Sequence, residues 1–186
     1  MALRIVRNDI VKMNTQAIVN TANSEALVGT GCDNAIYTAA GFDKLLKYRE
    51  QHIGVVEEGG AFITPGFNLN SEYIIHVVSP IYDGSDISEE KLRSCYRKSL
   101  QLAAEYSIRT IAFPLISTGG FGYPKEEGIR IAVDEINRFL LQSEVDIYLV
   151  VFDEEMSNLG RKISVDLQSY IDSRYVEEKI EEEYLL

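Results

Sequence analysis

Short runs dominated by Ile, Val and Phe alternate with stretches of helical period along this chain, and that alternation limits its fold more tightly than any other feature. The runs are LRIVR (3–7), QAIVN (16–20), GAFITP (60–65), YIIHVV (73–78), TIAFPLI (110–116) and IYLVVF (147–152). β-Branched and aromatic residues in runs of this length read as strands. The last two are nearly all apolar, which suits central strands covered on both faces. Helical spacing follows at 33–50, at 88–106 with Ser88 as N-cap, at 124–141 with Pro124 in the first turn, and at 154–172. The expected fold is therefore α/β, a three-layer α/β/α sandwich with a mixed central sheet. One domain is expected over 1–172, followed by an extension at 173–186. That extension ends in YVEEKIEEEYLL, acidic and helix-prone, and is expected to be a solvated helical tail.

Charge and composition remove several function classes. The formal net charge is −11, which disfavours a nucleic-acid partner, because phosphate-backbone binding needs a basic face. A small anionic ligand stays open, since backbone N–H groups bind phosphate without any lysine. No apolar run approaches the roughly 20 residues that span a bilayer, and MALRIVRNDIV lacks the apolar region of a secretory signal. No membrane partner and a cytoplasmic location are expected. Cys32 and Cys95 form no CxxC pair, and His52 and His76 stand alone, so no metal or other cofactor is expected.

The stretch LISTGGFGYPKEEG (115–128) has three glycines within four positions, after an apolar strand and before a helix. In open α/β sheets, ligands bind beyond the carboxyl ends of strands. Glycines there allow close approach and positive φ, and successive free N–H groups make an anion nest. A plain strand-to-helix turn is the competing account. No Gly-Lys-Ser/Thr follows, so this is not a Walker A loop. A second loop of similar form lies in VNTANSEALVGTGCDNAIYTAAG (19–41). Two such loops at two strand ends could clamp one diphosphate.

Four segments, in order, carry a resemblance: NDIVKMNTQAIVNTANSEALVGTGCDNAIYTAAG (8–41), GGAFITPGFNLNSEYIIHVVSPIY (59–82), ISTGGFGYPKEEGIRIA (116–132) and VVFDEE (150–155). Together they resemble macro domains, which bind ADP-ribose, most closely those that hydrolyse ADP-ribosyl groups. The resemblance implies that Asp9 accepts a hydrogen bond from the adenine amino group and that Ile10 adds a backbone contact. Phe152 would stack on adenine, and Asn23 would hold the distal ribose. Gly29, Thr30, Gly31 and Cys32 would form the first phosphate loop. Ser117, Thr118, Gly119, Gly120, Phe121 and Gly122 would form the second, with Phe121 over the distal ribose. Asp33, ten residues after Asn23, would join Asn23 in catalysis.

Each residue also has a plainer account. Asp9 suits an Asx turn, Phe152 a core position, Asn23 a loop cap and Asp33 a helix N-cap. Asn20 and Tyr123 read as structural. The chain departs from the hydrolytic pattern of four glycines followed by Val-Asp-Gly. It reads VGTGCDN, with Val28 and Thr30 in place of glycines. Cys32 has no histidine placed to activate it and reads as a small loop residue.

The expected function is binding of ADP-ribose and hydrolysis of mono-ADP-ribose from acidic side chains of proteins, with O-acetyl-ADP-ribose as a further substrate. Mono-ADP-ribosylated proteins would be the partners, and a monomer is expected. A non-catalytic ADP-ribose reader is the alternative. A phosphatase acting on ADP-ribose 1″-phosphate ranks third.

Overall fold

The two most apolar runs stand where their composition suits them, in the middle of a seven-stranded sheet. The structure, a computed structural model, describes residues 2–185. In chain order it runs β1 (Ala2–Arg7), a 3-10 turn (Ile10–Lys12), β2 (Ala17–Ala22), α1 (Cys32–Ala40), α2 (Phe42–His52), β3 (Ala61–Pro65) and β4 (Tyr73–Val78). It continues with α3 (Asp86–Glu105), β5 (Thr110–Pro114), α4 (Lys125–Leu140), β6 (Asp146–Val151), α5 (Glu154–Ile163), β7 (Gln168–Ser169) and α6 (Ser173–Tyr184). The strand order is β3-β4-β2-β5-β6-β1-β7, and only β3 runs antiparallel to its neighbour.

Period-two alternation sorts each strand's side chains between two cores. Ala17, Val19, Ile75, Val77, Ile111, Phe113, Ile147 and Leu149 face one way, against Leu92, Tyr96 and Leu100 of α3 and Ile129, Ala132 and Ile136 of α4. Their neighbours Ile18, Ile74, Ala112 and Val150 face the other way, against Ile36, Tyr37 and Ala40 of α1 and Leu45 of α2. The pairing Ile18↔Ala112 and Phe113↔Leu149 keeps like faces together. Because β1, β2, β4, β5 and β6 are parallel, their carboxyl ends share one edge of the sheet.

Several boundaries differ from the sequence expectation. The single helix expected at 33–50 is two, broken at Gly41 with φ +101°. A left-handed residue cannot continue a right-handed helix. Ser85, not Ser88, caps α3, and its side chain accepts from the Ser88 N–H. Pro124 precedes α4 as its cap residue instead of lying in the first turn. The helix expected at 154–172 stops at Ile163, and the chain returns to pair with β1 through Gln168 and Ser169. Both residues of β7 are exposed, so no apolar alternation marks it. The acidic extension is helical as expected but is not a free tail. Asp172 caps α6, Val176 is buried, and the helix lies against the carboxyl edge of the sheet.

A Cβ at Gly41 would stand 3.0 Å from Asn68 Nδ2 on an already left-handed backbone. Gly41→Ala is expected to lower folding stability by roughly 1–3 kcal/mol in urea unfolding. A change within about 0.5 kcal/mol, the ordinary range for neutral surface substitutions, would contradict the assigned role.

Candidate functional site

Four strand ends deliver the site. β1 leads into Asp9, β2 into Asn23, β5 into the second glycine loop and β6 into Phe152. Between them lies a cleft of about 740 Å³, walled by the first loop (Gly29 to Cys32), Asn23, Asp33, the second loop and Phe152. A second cavity of about 550 Å³ extends past Asp9 and Ile10, and shares Gly31, Cys32, Pro114, Val150 and Phe152 with the cleft. Of the sequence-selected residues, Gly122 alone lines neither. It is exposed with φ +75° and serves the turn behind the loop tip.

The second loop is held by its own bonds. Ser117 is buried with φ +64°, and its hydroxyl donates to Pro80 O at 2.8 Å. Thr118 Oγ1 donates to Leu115 O at 3.1 Å. The N–H groups of Gly122 and Tyr123 close the loop onto Gly119 O and Ser117 O. Gly119 and Gly120 are left exposed at the cleft, with Phe121 half-buried beside them. Tyr123 is buried against Tyr82, ring centroids 4.8 Å apart, and packs as expected. Gly128 of α4 faces this loop: a Cβ there would meet Thr118 Cγ2 at 2.5 Å, so a glycine inside a helix lets the loop sit low.

Asp33 is not an N-cap. Gly31 holds that place, and Asp33 is the second residue of α1 with 3% of its surface exposed. Its carboxylate turns inward. Oδ1 accepts from Asn20 Nδ2 at 2.7 Å, and Oδ2 accepts from the Gly29 N–H at 2.7 Å. Burial raises the Asp33 pKa above the ordinary aspartate value, against the opposing pull of those two donors and of the Arg49 charge. Asn20, read from sequence as structural, lies in β2 and is fully buried. Its other amide hydrogen faces His76 Nδ1 at 3.0 Å, and His76 Nε2 stands 2.9 Å from Thr64 Oγ1. An amide can only donate from nitrogen, so His76 accepts at Nδ1, carries its proton at Nε2 and donates it to Thr64. Burial, and then the Arg49 charge, depress the His76 pKa to about 3.

Arg49 is the largest residue that sequence reasoning missed. It is fully buried on α2 and donates to the Asn23 backbone oxygen. The signal was present: Arg49 follows the buried Leu45 by four positions and so continues the apolar stripe. Asn23 does cap its loop, with Nδ2 donating to Leu27 O at 2.6 Å. That same nitrogen also faces Gly29, 3.5 Å from where a Cβ would stand, beside Asp33 Oδ2 at 3.6 Å. Lys125, missed as well, lines the cleft from the start of α4 and pairs with Glu155.

Asp9 combines two roles. Oδ1 accepts from the Val11 N–H at 3.2 Å in an Asx-type turn, while Oδ2 points into the second cavity. Phe152 belongs to neither core and walls both cavities. Val28 packs on the α1–α2 core rather than into the cleft, so of the two glycine replacements only Thr30 borders it. Burial pushes the Cys32 thiol up to about 12, which leaves it un-ionised at neutral pH and a poor nucleophile. Among the described residues no group of three or more His, Cys, Asp or Glu could hold a metal ion.

A seven-stranded mixed sheet with this edge, two glycine loops and an inward carboxylate defines a class, and comparison with known proteins agrees. The macro domain family matches residues 19–132, and the chain belongs to that family. It is 43% identical over 148 residues to the ADP-ribose glycohydrolase MACROD2 of Xenopus laevis, covering 78% of this chain and 35% of that protein. It is 40% identical over 169 residues to the O-acetyl-ADP-ribose deacetylase of Salmonella newport, covering 87% and 93%. The Trypanosoma brucei macrodomain solved in complex with ADP-ribose superposes with a TM-score of 0.78 at 32% identity, covering 87% of this chain and 68% of that one.

Neutral, buried His76 has a pH consequence. Its folded pKa, about 3, lies below the ordinary 6.5, so the unfolded chain takes up a proton that the folded chain does not. Its stabilisation is complete above pH 6.5 and is lost as pH falls from there toward 3. Urea unfolding should show stability dropping by roughly 2 kcal/mol from this group between pH 7 and pH 5. His76→Gln should flatten that slope whatever its effect on absolute stability. An unchanged slope would contradict the buried neutral imidazole.

Proposed function

We propose that this macro domain binds ADP-ribose and hydrolyses the ester that joins single ADP-ribose units to acidic side chains of proteins. One observation carries the reading: two glycine loops, the Asp9 carboxylate, the half-buried ring of Phe152 and the Asn23–Asp33 pair line two adjoining cavities at the carboxyl edge of the sheet. Asp9 accepts from the adenine amino group, Ile10 adds a backbone contact, and Phe152 offers its ring to the base, a stacking worth roughly 1–3 kcal/mol. Gly29–Cys32 and Ser117–Gly122 hold the diphosphate between them. Asn23 and Phe121 hold the distal ribose, so that its anomeric carbon faces Asp33.

Asp33 then has two tasks. Its carboxylate fixes the first loop through the Gly29 N–H. Each of its oxygens accepts one protein donor and keeps a further lone pair, which can orient a water and take its proton as it attacks the anomeric carbon, breaking the bond to the ester oxygen and releasing the protein carboxylate. Much of the rate would come from positioning, with general-base help of about 10²–10⁴-fold. Mono-ADP-ribosylated proteins are the proposed substrates. The name of the Salmonella relative supports O-acetyl-ADP-ribose, bound in the same site, as a second substrate.

A second reading, a reader without turnover, draws on the same carboxylate: at 3% exposure and with both oxygens bonded, Asp33 is well placed for structure alone.

Release of free ADP-ribose from a protein mono-ADP-ribosylated on glutamate separates the two. The wild type should release it. Asp33→Ala should be slower by about 10²–10⁴-fold while its ADP-ribose affinity changes far less. No release by a wild type that binds ADP-ribose would favour the reader, and full activity in Asp33→Ala would remove the assigned role.

The pH profile adds an independent check. A base must be deprotonated, so the rate should fall on the acid side with a midpoint above the ordinary aspartate value of 3.8. A midpoint at or below that value would contradict Asp33 as the base.

A further inference from the structure

α6 lies across the adenine side of the site, and its polar contacts fall on groups that the proposed ligand needs. Tyr175 Oη donates to Asp9 Oδ2 at 2.8 Å. The Gly31 N–H donates to the Glu183 carboxylate. The polarity of each contact is that of the ligand: a hydroxyl donor stands where an adenine amino group would donate, and a carboxylate stands where a phosphate oxygen would accept. Tyr175 and Glu183 are eight residues apart, about 12 Å along a helix axis, so one helix reaches both the adenine acceptor and the first phosphate loop. Tyr175, Lys179, Ile180, Glu182 and Glu183 form the face turned to the cavity.

We propose that α6 is an internal competitor for the nucleotide. In the closed state it occupies the adenine acceptor and a phosphate-loop donor, and it must leave for ADP-ribose to bind. The inference rests on the ADP-ribose reading of the site and adds its regulation. Charge supports competition over cooperation. A carboxylate and a phosphate cannot share one N–H, and Glu183 brings its negative charge to a loop otherwise suited to an anion, while Glu182 beside it is paired with Lys179.

The hold on the domain is light enough to be reversible. Val176 is the one fully apolar side chain of α6 that is buried, and Ile180 and Tyr184 are exposed. Lys12 Nζ adds a cation–π contact 4.1 Å from the Tyr175 ring centre. A helix held by so few buried contacts opens at low cost compared with the sheet. Apparent affinity then equals intrinsic affinity reduced by the fraction of molecules that are open. Anything that captures the free acidic helix would activate the site.

The test uses the full chain and ADP-ribose as the probe. Binding is measured by calorimetry for wild type and for the double variant Tyr175→Phe, Glu183→Ala. Amide hydrogen exchange of residues 173–184 is followed in the wild type with and without ligand. Loss of the two contacts should tighten ADP-ribose binding by about three- to tenfold. Saturating ADP-ribose should strip protection from α6 in the wild type, a readout that does not depend on the variant. Equal or weaker binding by the variant, or increased protection of α6 on binding, would overturn the inference and make α6 a fixed wall of the adenine pocket. Failure of both proteins to bind ADP-ribose would refute the ligand assignment itself and the inference with it.

Discussion

The site depends on one buried carboxylate. Asp33 sits on α1, receives the amide of Asn20 from β2 and receives the Gly29 N–H from the first glycine loop. Strand, loop and helix are tied at one point by that carboxylate. The cost of burying that charge shows in its raised pKa, which the two donors and Arg49 only partly offset. Behind it, Asn20 is itself held by a neutral His76, and His76 by Thr64 on the edge strand β3. The position of the carboxyl edge is thus set from inside the sheet. This is the arrangement in which a loop rich in glycine can still present defined geometry: the backbone supplies freedom, and a buried polar chain removes it.

Much of this was legible in the sequence because its physics is local. The apolar runs TIAFPLI and IYLVVF could only be central, and β5 and β6 are. The two glycine loops follow strands and precede helices as their composition implied. What failed to show was set by tertiary contact. Asp33 satisfied the local rule for an N-cap, yet Asn20, thirteen residues earlier, claimed its side chain. Gly41 looked like a glycine inside a helix and proved to be a left-handed break. Arg49 went unremarked in the sequence, although its spacing from Leu45 placed it on the buried face of α2. The glycine replacements Val28 and Thr30 looked equivalent and are not, since Val28 joins the core and Thr30 borders the cleft.

The acidic extension makes the same point at larger scale. Its composition gave the helix, and nothing local gave the docking. Tyr175 finds Asp9 across more than one hundred and sixty residues of sequence, and Glu183 finds Gly31 across about one hundred and fifty. The residues that recognise a ligand are those with unsatisfied polarity at a strand edge, so they are also the ones that a nearby segment of the same chain can satisfy.

The central claim is that one ligand, ADP-ribose, spans the carboxyl edge from Asp9 to Asp33. Amide chemical shifts followed by NMR during an ADP-ribose titration test it most directly. The account predicts concerted shifts at Asp9 and Ile10, across Gly29 to Asp33, across Ser117 to Gly122 and at Phe152, all saturating at one ligand per chain. Shifts confined to the groove between α4 and α5, lined by Ile129, Val133 and Leu159, or no shifts at all, would contradict it.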